Sequence, residues 1–404
     1  MSTRWLELQP EEPLLLGQVK ADTNFLSSLT YIPGRLIRGA WADWLIAQGR
    51  ASQIVPTVQP MQVGNFFPTM KWRSARYVSS FLLSMLTCKR ESGFCSEPNK
   101  AHRGHGVVDT LVPHLAYFLL KQAGAHFPVP FTATCPVCQG RMEPESGFYT
   151  VFNDGKEKRY VRTREQYHSQ TRVALSRFRR TASEGMLYSA TAVSPKTDKP
   201  DGTGPTDLVF VGRVSGPDDS VDELLVALET TAIGAMRTRG YGRIKVTEVK
   251  MELDPLFARF QEFNDSLVTL WQDLKRLATN AAALPEQPDG RYFSLDLLAP
   301  SIFRDKSLST LVPTLEVNDK VLQSVFWIAR PDFAAGWSDA WGLPKPTALA
   351  ARMGSVYVFR WDGSEDELIA VLQRLETDGV GERRDESFGE CWICHPFHQE
   401  VNEQ

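Results

Sequence analysis

Residues 220–246 read SVDELLVALETTAIGAMRTRGYGRIKV, a helical pattern that leads through a loop rich in glycine and arginine into a short strand. Ser220 followed three residues later by Glu223 has the pattern of a capping box, which predicts that the helix begins at this point. Apolar residues then recur at helical spacing, which predicts one buried face. They are Val221, Leu224, Leu225, Leu228, Ala232 and Ala235.

The same order of helix, glycine-rich loop and short strand is found again near the end of the chain. Residues 364–393 read SEDELIAVLQRLETDGVGERRDESFGECWI. Ser364 and Glu367 repeat the capping-box pattern ahead of another apolar helical face. The loop that follows is again rich in glycine and arginine, but it also carries Glu382, Asp385 and Glu386. A unit that occurs twice at this spacing predicts two domains of related topology.

Strand patterns surround both units. The segments 12–20 (with Leu14, Leu16 and Val19), 207–216, 291–303, 321–333 and 354–361 each read as strands, and 172–195 reads as a hairpin. The stretch 35–49, RLIRGAWADWLIAQG, has helical spacing. We therefore predict an α+β fold of two ferredoxin-like (RRM-type) βαββαβ domains, residues 1–254 and 285–404, joined by a helical linker at 255–284.

A segment rich in cysteine, histidine, glycine and proline interrupts the first domain at about residues 85–149. Cys135 and Cys138 form a C-x2-C turn followed by glycine, which allows two thiolates to grip one face of a tetrahedral ion. Two further ligands must come from upstream, where Cys88, Cys95, His102 and His105 are the candidates. We favour Cys88 and His105, because they flank a glycine-containing loop as a pair that can converge. Four protein ligands predict a closed, structural zinc site.

A second C-x2-C, Cys391 and Cys394, lies in a stretch that reads as a terminal strand. Residues three apart on a strand point to opposite faces, so this pair predicts sheet packing rather than a metal site. The opening residues, MSTRWLELQPEEP, contain no apolar run of signal-peptide type, and no apolar run approaches the roughly 20 residues that span a bilayer. We expect a cytoplasmic protein that does not contact a membrane.

The formal net charge of −3 is divided unevenly. Residues 1–250 hold 31 Lys and Arg against 23 Asp and Glu, a net charge of +8, whereas residues 251–404 hold 14 against 25, a net charge of −11. Arginine outnumbers lysine 30 to 15, and its planar fork grips phosphate in a bidentate manner. The charge distribution indicates that the first domain meets a polyanion and that the second does not.

Three features of the basic half predict contact with single-stranded nucleic acid. Arg35 and Arg38 stand near the start of the first helix, where the helix dipole favours an anion. Residues 156–180 have a net charge of +7, include Arg172, Arg177 and Arg179, and interleave aromatic rings with the cations. The third feature is a glycine-rich loop whose backbone can approach a phosphate closely. It consists of Arg237, Arg239, Gly240, Tyr241, Gly242 and Arg243.

Motifs of hydrolases, P-loop enzymes, zinc proteases and dinucleotide-binding proteins do not occur in the sequence. A ribonuclease that needs no metal would use a general base, for which His168 in the basic segment is the best candidate. An enzyme that cleaves RNA is therefore the alternative to a protein that only binds RNA. A scaffold whose acidic half docks a basic partner is a third hypothesis.

Three motifs together resemble those of CRISPR-associated RAMP proteins. These are IPGRLIRGAWADWL at 32–45, TRVALSRFRRTASEGMLYSATAV at 171–193 and AMRTRGYGRIKV at 235–246. The cysteine-rich insertion and the stretches 336–359 and 388–398 further resemble the RAMP subunit specific to type III-D effector complexes. The similarity spans most of the chain, apart from about residues 45–80 and 255–290.

The resemblance implies an RNA-binding structural subunit of an RNA-guided ribonucleoprotein. The alternative within the same family is a RAMP endoribonuclease that processes guide precursor or cleaves target RNA. Such a subunit would hold the 5′ repeat-derived handle of the crRNA, with target RNA nearby, and would contact other RAMP subunits and the large subunit in antiviral defence. The arginines of the first domain would line the RNA path, and Trp337, Trp341 and Lys345 would contact RNA or a partner. The acidic second loop is poorly suited to RNA. Related subunits cut RNA with a loop aspartate, but neither Asp43 nor Asp109 can be assigned that role, so the sequence predicts binding without cleavage.

Overall fold

The protein has a mixed α+β fold in a computed structural model that describes residues 2–17, 25–71, 75–95, 104–154, 157–176, 178–199, 202–317, 320–338 and 342–399. Within these ranges six α-helices occur: α1 (Gly34–Ala47), α2 (Ile54–Val58), α3 (Leu111–Gln122), α4 (Asp218–Thr230), α5 (Leu256–Leu277) and α6 (Glu365–Asp378). No helix in the described ranges has the length and apolar character needed to cross a bilayer.

The strands of the described residues form seven sheets. In chain order they are β1 (Ser2–Pro10), β2 (Phe25–Ser27), β3 (Gln62–Val63), β4 (Phe67–Met70), β5 (Ala75–Ser80), β6 (Met85–Cys88), β7 (Val107–Asp109), β8 (Met142–Pro144), β9 (Phe148–Asp154), β10 (Glu157–Thr163), β11 (Tyr167–Ser176), β12 (Thr181–Val193), β13 (Lys196–Asp198), β14 (Pro205–Gly216), β15 (Ile244–Val249), β16 (Arg291–Leu297), β17 (Phe303–Asp305), β18 (Leu308–Thr310), β19 (Thr314–Val317), β20 (Lys320–Ile328), β21 (Pro331–Ser338), β22 (Leu343–Ala351), β23 (Val356–Trp361) and β24 (Cys391–Ile393).

The N-terminal sheet is built around β1, which pairs antiparallel with β14 on one side and with β15 on the other. Strands β3 and β4 pair antiparallel with the far edge of β14. Alternate residues of a strand face opposite sides, so Leu6 and Leu8 both point into the core. Helices α1 and α4 cover that side, and Trp41 and Leu224 pack there with the two leucines.

The C-terminal sheet has the order β19-β20-β23-β16-β24, with every pair antiparallel. The hydrophobic core beneath this sheet also includes residues of α3 and α5, and these two helices pack against each other. Phe260 and Phe263 of α5 are fully buried beside Phe293 of β16. The predicted linker helix is therefore present, but it is part of the core rather than a spacer between two separate bodies.

Three local predictions were wrong. The first strand is Ser2–Pro10 and not the segment around Leu14 and Leu16, which is buried in irregular chain, while Val19 lies outside the described residues. Helix α4 begins at Asp218 after Pro217, so Ser220 is inside the helix and makes no cap. Residues 298–317, which lead from β16 toward β20, contain no helix, so the second unit lacks the first helix of the predicted repeat.

A buried ionic triad joins the cysteine-rich insertion to the C-terminal sheet. His398 Nδ1 lies 3.1 Å from Asp109 Oδ2, and His398 Nε2 lies 3.0 Å from Asp296 Oδ1, with all three side chains fully buried. Burial alone would lower the pKa of His398, but the two carboxylates raise it to about 10. Ser84 and Ser294 donate hydrogen bonds to Asp109 and Asp296. The histidine is therefore a cation held between two anions at the centre of the molecule.

Arg259 of α5 is a second buried ionic link, and it is only 1% exposed. Its guanidinium donates to both carboxylate oxygens of Glu376 in α6, at 2.9 and 3.0 Å, and to the backbone oxygen of Ile393 in β24. Its Nε donates to the backbone oxygen of Asp254 at 2.9 Å. The Arg259 side chain thus links α5 to α6 and to β24.

We expect Arg259→Ala to lower the free energy of unfolding by about 3–5 kcal/mol, because Glu376, whose side chain is only 14% exposed, would remain as a largely buried charge without its cation. Urea unfolding followed by circular dichroism measures this. Arg276→Ala is the matched control, since Arg276 lies on the same helix, is 75% exposed at its side chain and forms an exposed ion pair with Asp273. It should change stability by less than about 1 kcal/mol. Equal effects of the two substitutions would contradict the role assigned to Arg259.

Candidate metal centre and nucleic-acid interface

Four side chains of the insertion converge on one point. Cys88 ends β6, His105 stands two residues before β7, and Cys135 and Cys138 lie in the turn enclosed by the Thr134–Arg141 bridge. The ligand atoms of these four residues all lie within 4.8 Å of one another. They are the four ligands that we favoured from the sequence. Cys95 Sγ instead contacts the backbone oxygen of Gly104 at 3.4 Å, and His102 lies outside the described residues.

Local backbone geometry positions the ligands. In the C-x2-C turn, Cys135 donates its N–H to Gly140 and accepts one from Gln139, which adopts a left-handed conformation with φ of +56°. A Cβ atom at Gly140 would stand 3.1 Å from Cys138 Sγ. The glycine therefore keeps space beside the thiol, which explains why it follows the second cysteine.

The distances fit a tetrahedral ion. Cys88 Sγ lies 3.6 Å from Cys138 Sγ, and Cys135 Sγ lies 3.5 Å from His105 Nδ1. Zinc bonds of about 2.3 Å to sulfur and about 2.0–2.1 Å to nitrogen, at tetrahedral angles, give separations of about 3.8 Å and about 3.6 Å. Burial would raise the pKa of Cys88, but backbone N–H groups of Glu91 and Arg90, together with Cys138 and His105, lower it to about 6. The cluster has the donor set and spacing of a closed metal site.

The predicted basic hairpin exists as β11 and β12, and β2 extends it to a three-stranded sheet. Its turn contains Arg179 and Arg180, the latter in a left-handed conformation, and Phe178, which is 96% exposed. Arg177 lies outside the described residues. His168 is exposed on β11. The turn therefore presents cations and an aromatic ring to solvent, as the sequence predicted.

The glycine-rich loop packs against the base of this hairpin. Tyr241 is buried, donates a hydrogen bond of 2.9 Å to Gln170, and lies under the guanidinium of Arg172 at 5.6 Å. Arg239 donates to the hydroxyl of Tyr188 on β12. The structure thus brings two sequence-distant basic motifs onto one surface.

The loop turns through two glycines with positive φ. Gly240 has φ of +81° and Gly242 has φ of +93°, and a Cβ atom at Gly242 would approach the backbone oxygen of Ile233 to 2.2 Å. Arg237 and Arg243 are exposed on either side of this turn. Arg237 Nη1 lies 2.8 Å from Asp43 Oδ2, which anchors the loop to α1.

Arg35 and Arg38 lie elsewhere, at the junction of the two halves. The guanidinium of Arg35 stands 5.7 Å from the ring of Phe388, and Arg38 donates to the backbone oxygen of Met61 at 2.5 Å. Arg38 also lines a cleft of about 640 Å³ together with Arg213 and the second loop. These two arginines therefore do not share the surface formed by the hairpin and the first loop.

The second loop has the geometry of the first. A short helical turn, Arg384–Glu386, is flanked by left-handed residues Arg383 and Ser387, just as Arg237–Arg239 is flanked by Met236 and Gly240. Part of its charge is paired within the protein, because Glu386 pairs with Arg383 at 2.6 Å and with Lys345 of β22 at 2.9 Å. Lys345 is thus used within the protein. Trp337 lies on β21 and Trp341 lies outside the described residues.

Several site features could not be read from the sequence. Gln170 and Tyr188 position the cationic surface, and only their contacts with Tyr241 and Arg239 in the folded protein identify them.

The second cysteine pair, Cys391 and Cys394, is fully buried in the core, where burial raises the pKa of both thiols. Asp109, one of the two aspartates considered for RNA cleavage, is inaccessible because it belongs to the buried triad.

Comparison with known proteins identifies the family. The RAMP superfamily pattern matches residues 8–245. No curated protein matches the chain. Among solved structures, a chain of a type III-B Cmr-beta complex bound to cognate target RNA is similar at 11% identity and a TM-score of 0.44, with 95% of each chain covered. A chain of a Csm3–Csm4 subcomplex of a type III-A CRISPR-Cas interference complex is similar at 9% identity and a TM-score of 0.37, covering 90% of this chain and 95% of that one. Because the superfamily pattern spans more than half of the sequence, this chain belongs to the RAMP superfamily.

Proposed function

We propose that this protein is an RNA-binding structural subunit of a type III CRISPR effector complex, of the kind specific to type III-D. In that complex it holds the 5′ repeat-derived handle of the crRNA and contacts the large subunit. The observation that carries the proposal is the contact of the glycine-rich loop with the basic hairpin. Arg172, Arg239 and Tyr241 are held on one surface by contacts that fix their positions.

The chemistry of this surface suits single-stranded RNA. Guanidinium groups provide phosphate contacts, and exposed rings such as Phe178 provide stacking surface. Asp43 is paired with Arg237, and the other aspartate considered for cleavage is buried. These environments support a subunit that binds RNA and does not cut it.

The proposal also includes two ferredoxin-like domains and a structural zinc ion. The order β15-β1-β14-β4, with α1 after β1 and α4 after β14, supports a ferredoxin-like first domain within residues 1–254. The order β24-β16-β23-β20 supports a second such domain within residues 285–404. Helix α5, which precedes these residues in the chain, packs against its strand β16 and its helix α6. The four-residue cluster supports a structural zinc ion that fixes the insertion at 85–149.

The function is tested by fluorescence anisotropy with a labelled RNA that bears the handle and a scrambled RNA of equal length. The handle RNA should bind more tightly, and affinity should fall steeply with rising salt. The double variant Arg172→Gln/Arg239→Gln should bind at least about tenfold more weakly, with a shallower salt dependence, because two cations are lost from the surface.

The matched control is Arg276→Gln/Arg360→Gln, which also removes two cations, here from the acidic half. It should leave RNA affinity unchanged. Equal affinity for both RNAs would overturn handle recognition, and affinity independent of salt would overturn the phosphate contacts. Cleavage of precursor or target RNA that is lost in His168→Ala would instead establish the endoribonuclease.

A further inference from the structure

Two paired strands of the cysteine-rich insertion connect the metal cluster to the buried triad. Strands β6 and β7 are antiparallel, with Met85 opposite Asp109. Cys88 ends β6 and His105 precedes β7, so both ligands lie at one end of the pair. Asp109 lies at the other end, where Ser84 donates it a hydrogen bond of 2.8 Å. Each ligand is four positions along the chain from a residue of that end, so the two ends are about 13 Å or less apart.

The loop between these two ligands makes a second connection to the core. Phe94, which lies in this loop, is fully buried. The base of the loop is closed tightly, because Gly106 donates a hydrogen bond to the backbone oxygen of Gly93, and a Cβ atom at Gly104 would stand 2.2 Å from the same oxygen. Fixing the two ligands therefore also fixes the place where Phe94 enters the core.

Residues 395–399, called here the plug, lie between the insertion and the C-terminal sheet. The side chains of His395, Phe397 and His398 are fully buried. The plug contacts β7 and α3 of the insertion and α5 of the C-terminal half. On the side of the C-terminal sheet, the N–H of His395 donates a hydrogen bond of 2.9 Å to Asp296 Oδ2. Both parts of the protein therefore hold the plug in place.

The two connections from the insertion end on the plug. The carboxylate of Asp109 lies 3.1 Å from His398 Nδ1, and the ring of Phe94 stands edge-on to that of Phe397, with 6.2 Å between their centroids. A shift of the strand ends would separate a buried carboxylate from its cation or a ring from its packed neighbour. Both changes are unfavourable. The position of the plug and the spacing of the ligands therefore depend on each other.

An ion fixes the spacing of the ligands more firmly than the side chains do by themselves. Cys88 contacts Cys138 at 3.6 Å and Cys135 contacts His105 at 3.5 Å, and thiols are weak hydrogen-bond donors. Coordination by all four residues would replace these contacts and close the loop from Cys88 to His105, which restricts the conformations of that loop. Loss of the ion would therefore allow the ligand-bearing ends of β6 and β7 to separate.

We infer that metal binding at the cluster and the seating of the plug are thermodynamically coupled, so that loss of the ion loosens residues 395–399 in the core. The ion then stabilises the attachment of the insertion to the C-terminal sheet, and not only the insertion itself. The coupling rests on the zinc ion proposed above and does not depend on RNA binding. Because coupling is reciprocal, a damaged plug must in turn weaken the binding of the metal.

Hydrogen exchange followed by mass spectrometry on the full-length chain tests the effect of the metal on the plug. The chain is compared as purified, after removal of metal by a chelator, and after zinc is added back. The peptide that covers residues 391–399 should exchange at least about fivefold faster without metal and should recover with zinc. Peptides from α1 and α4 should not change, because the buried side chains of these helices belong to the separate core of the N-terminal sheet.

Metal analysis of the same samples separates the outcomes. Unchanged exchange at 391–399 in a chain that has lost its zinc would overturn the coupling and leave the zinc site standing. Faster exchange in α1 and α4 as well would show unfolding of the whole chain, which also overturns the coupling. A native chain that contains no metal would refute the zinc site and the coupling together, whereas the RNA measurements above would still decide the proposed function.

Zinc affinity, measured by competition with a chromophoric chelator, tests the effect of the plug on the metal. His398→Gln should bind zinc at least about fivefold more weakly than the native chain. Phe397→Leu keeps the plug apolar, so it remains informative where the first variant does not fold, and its zinc affinity should also be weaker.

The matched control is Leu224→Ala, which leaves a cavity in the core of the N-terminal sheet. Its zinc affinity should equal that of the native chain. Equal weakening by Leu224→Ala and His398→Gln would show general destabilisation and overturn the coupling. Native zinc affinity in both plug variants would overturn it as well.

Discussion

Replacing Cys135 and Cys138 together by serine should remove a bound zinc ion and most of the stability of the insertion. The expected metal content, measured by mass spectrometry on purified protein, is about one zinc per chain in the native sequence and none in the variant. A structural zinc contributes on the order of 10 kcal/mol to the folding of small domains. The insertion has a small core of its own around the cluster, so we expect it to depend on the ion.

The control for this experiment is Cys95→Ser, which removes a thiol of the same insertion that lies outside the cluster. This variant should retain zinc, and it should unfold at the same urea concentration as the native protein. If the double variant does not accumulate, substitution of zinc by cobalt in the native chain gives an independent readout, because thiolate ligands produce a charge-transfer absorption. A native protein that contains no metal and is as stable after chelator treatment would refute the site.

Replacing His398 by glutamine should be the most damaging single substitution in the core. It removes a buried cation and leaves Asp109 and Asp296 as two buried carboxylates without their partner. Breaking a buried ion pair in this way costs about 3–5 kcal/mol. Urea unfolding at neutral pH measures the loss, and His168→Gln, on the exposed hairpin, is the control that should change stability by less than about 0.5 kcal/mol.

The triad also predicts a pH dependence whose sign can be worked out. The folded-state pKa of His398 is raised to about 10, above the value of about 6.5 in an unfolded chain. The contribution of the charged histidine to the free energy of unfolding is therefore fully present below about pH 6.5, and it is lost as the pH rises toward about 10. The native protein should lose stability across this window, and the loss should be smaller in His398→Gln. A difference between the two proteins that does not change with pH would show that the histidine is not charged in the fold.

Elements with a strong local pattern were predicted from the sequence. Apolar residues at helical spacing identified α1 and α6, and the alternating segment 172–195 became the hairpin of β11 and β12. The N-cap of α4 was misplaced by three residues, because Ser220 has cap chemistry but Pro217 supplies the extended residue before the helix. The first strand was misplaced because the apolar run at Leu14–Leu16 is buried by packing, although it belongs to no named strand.

The metal cluster was also accessible to sequence reasoning, because ligand chemistry restricts the choice to a few residues. Both Cys88 and Cys95 lie near the same loop, and only the tertiary structure shows that Cys88, at the end of β6, belongs to the cluster. The basic surface formed by the hairpin and the first loop was predicted in composition but not in arrangement. Arg35 and Arg38 were expected to line one path with the other arginines of the first domain. Instead, Arg35 lies over the ring of Phe388, and Arg38 lines the cleft beside the second loop.

The sequence by itself determined the mixed α+β class of fold, the short list of residues from which the cluster could be built and the basic character of the first half, because each of these depends on residue types and short spacings. Only the tertiary structure decided which distant side chains meet. His398 contacts a carboxylate 102 residues away, and Tyr241 contacts a strand 71 residues away. Such contacts depend on how helices and sheets pack, and no local pattern encodes them.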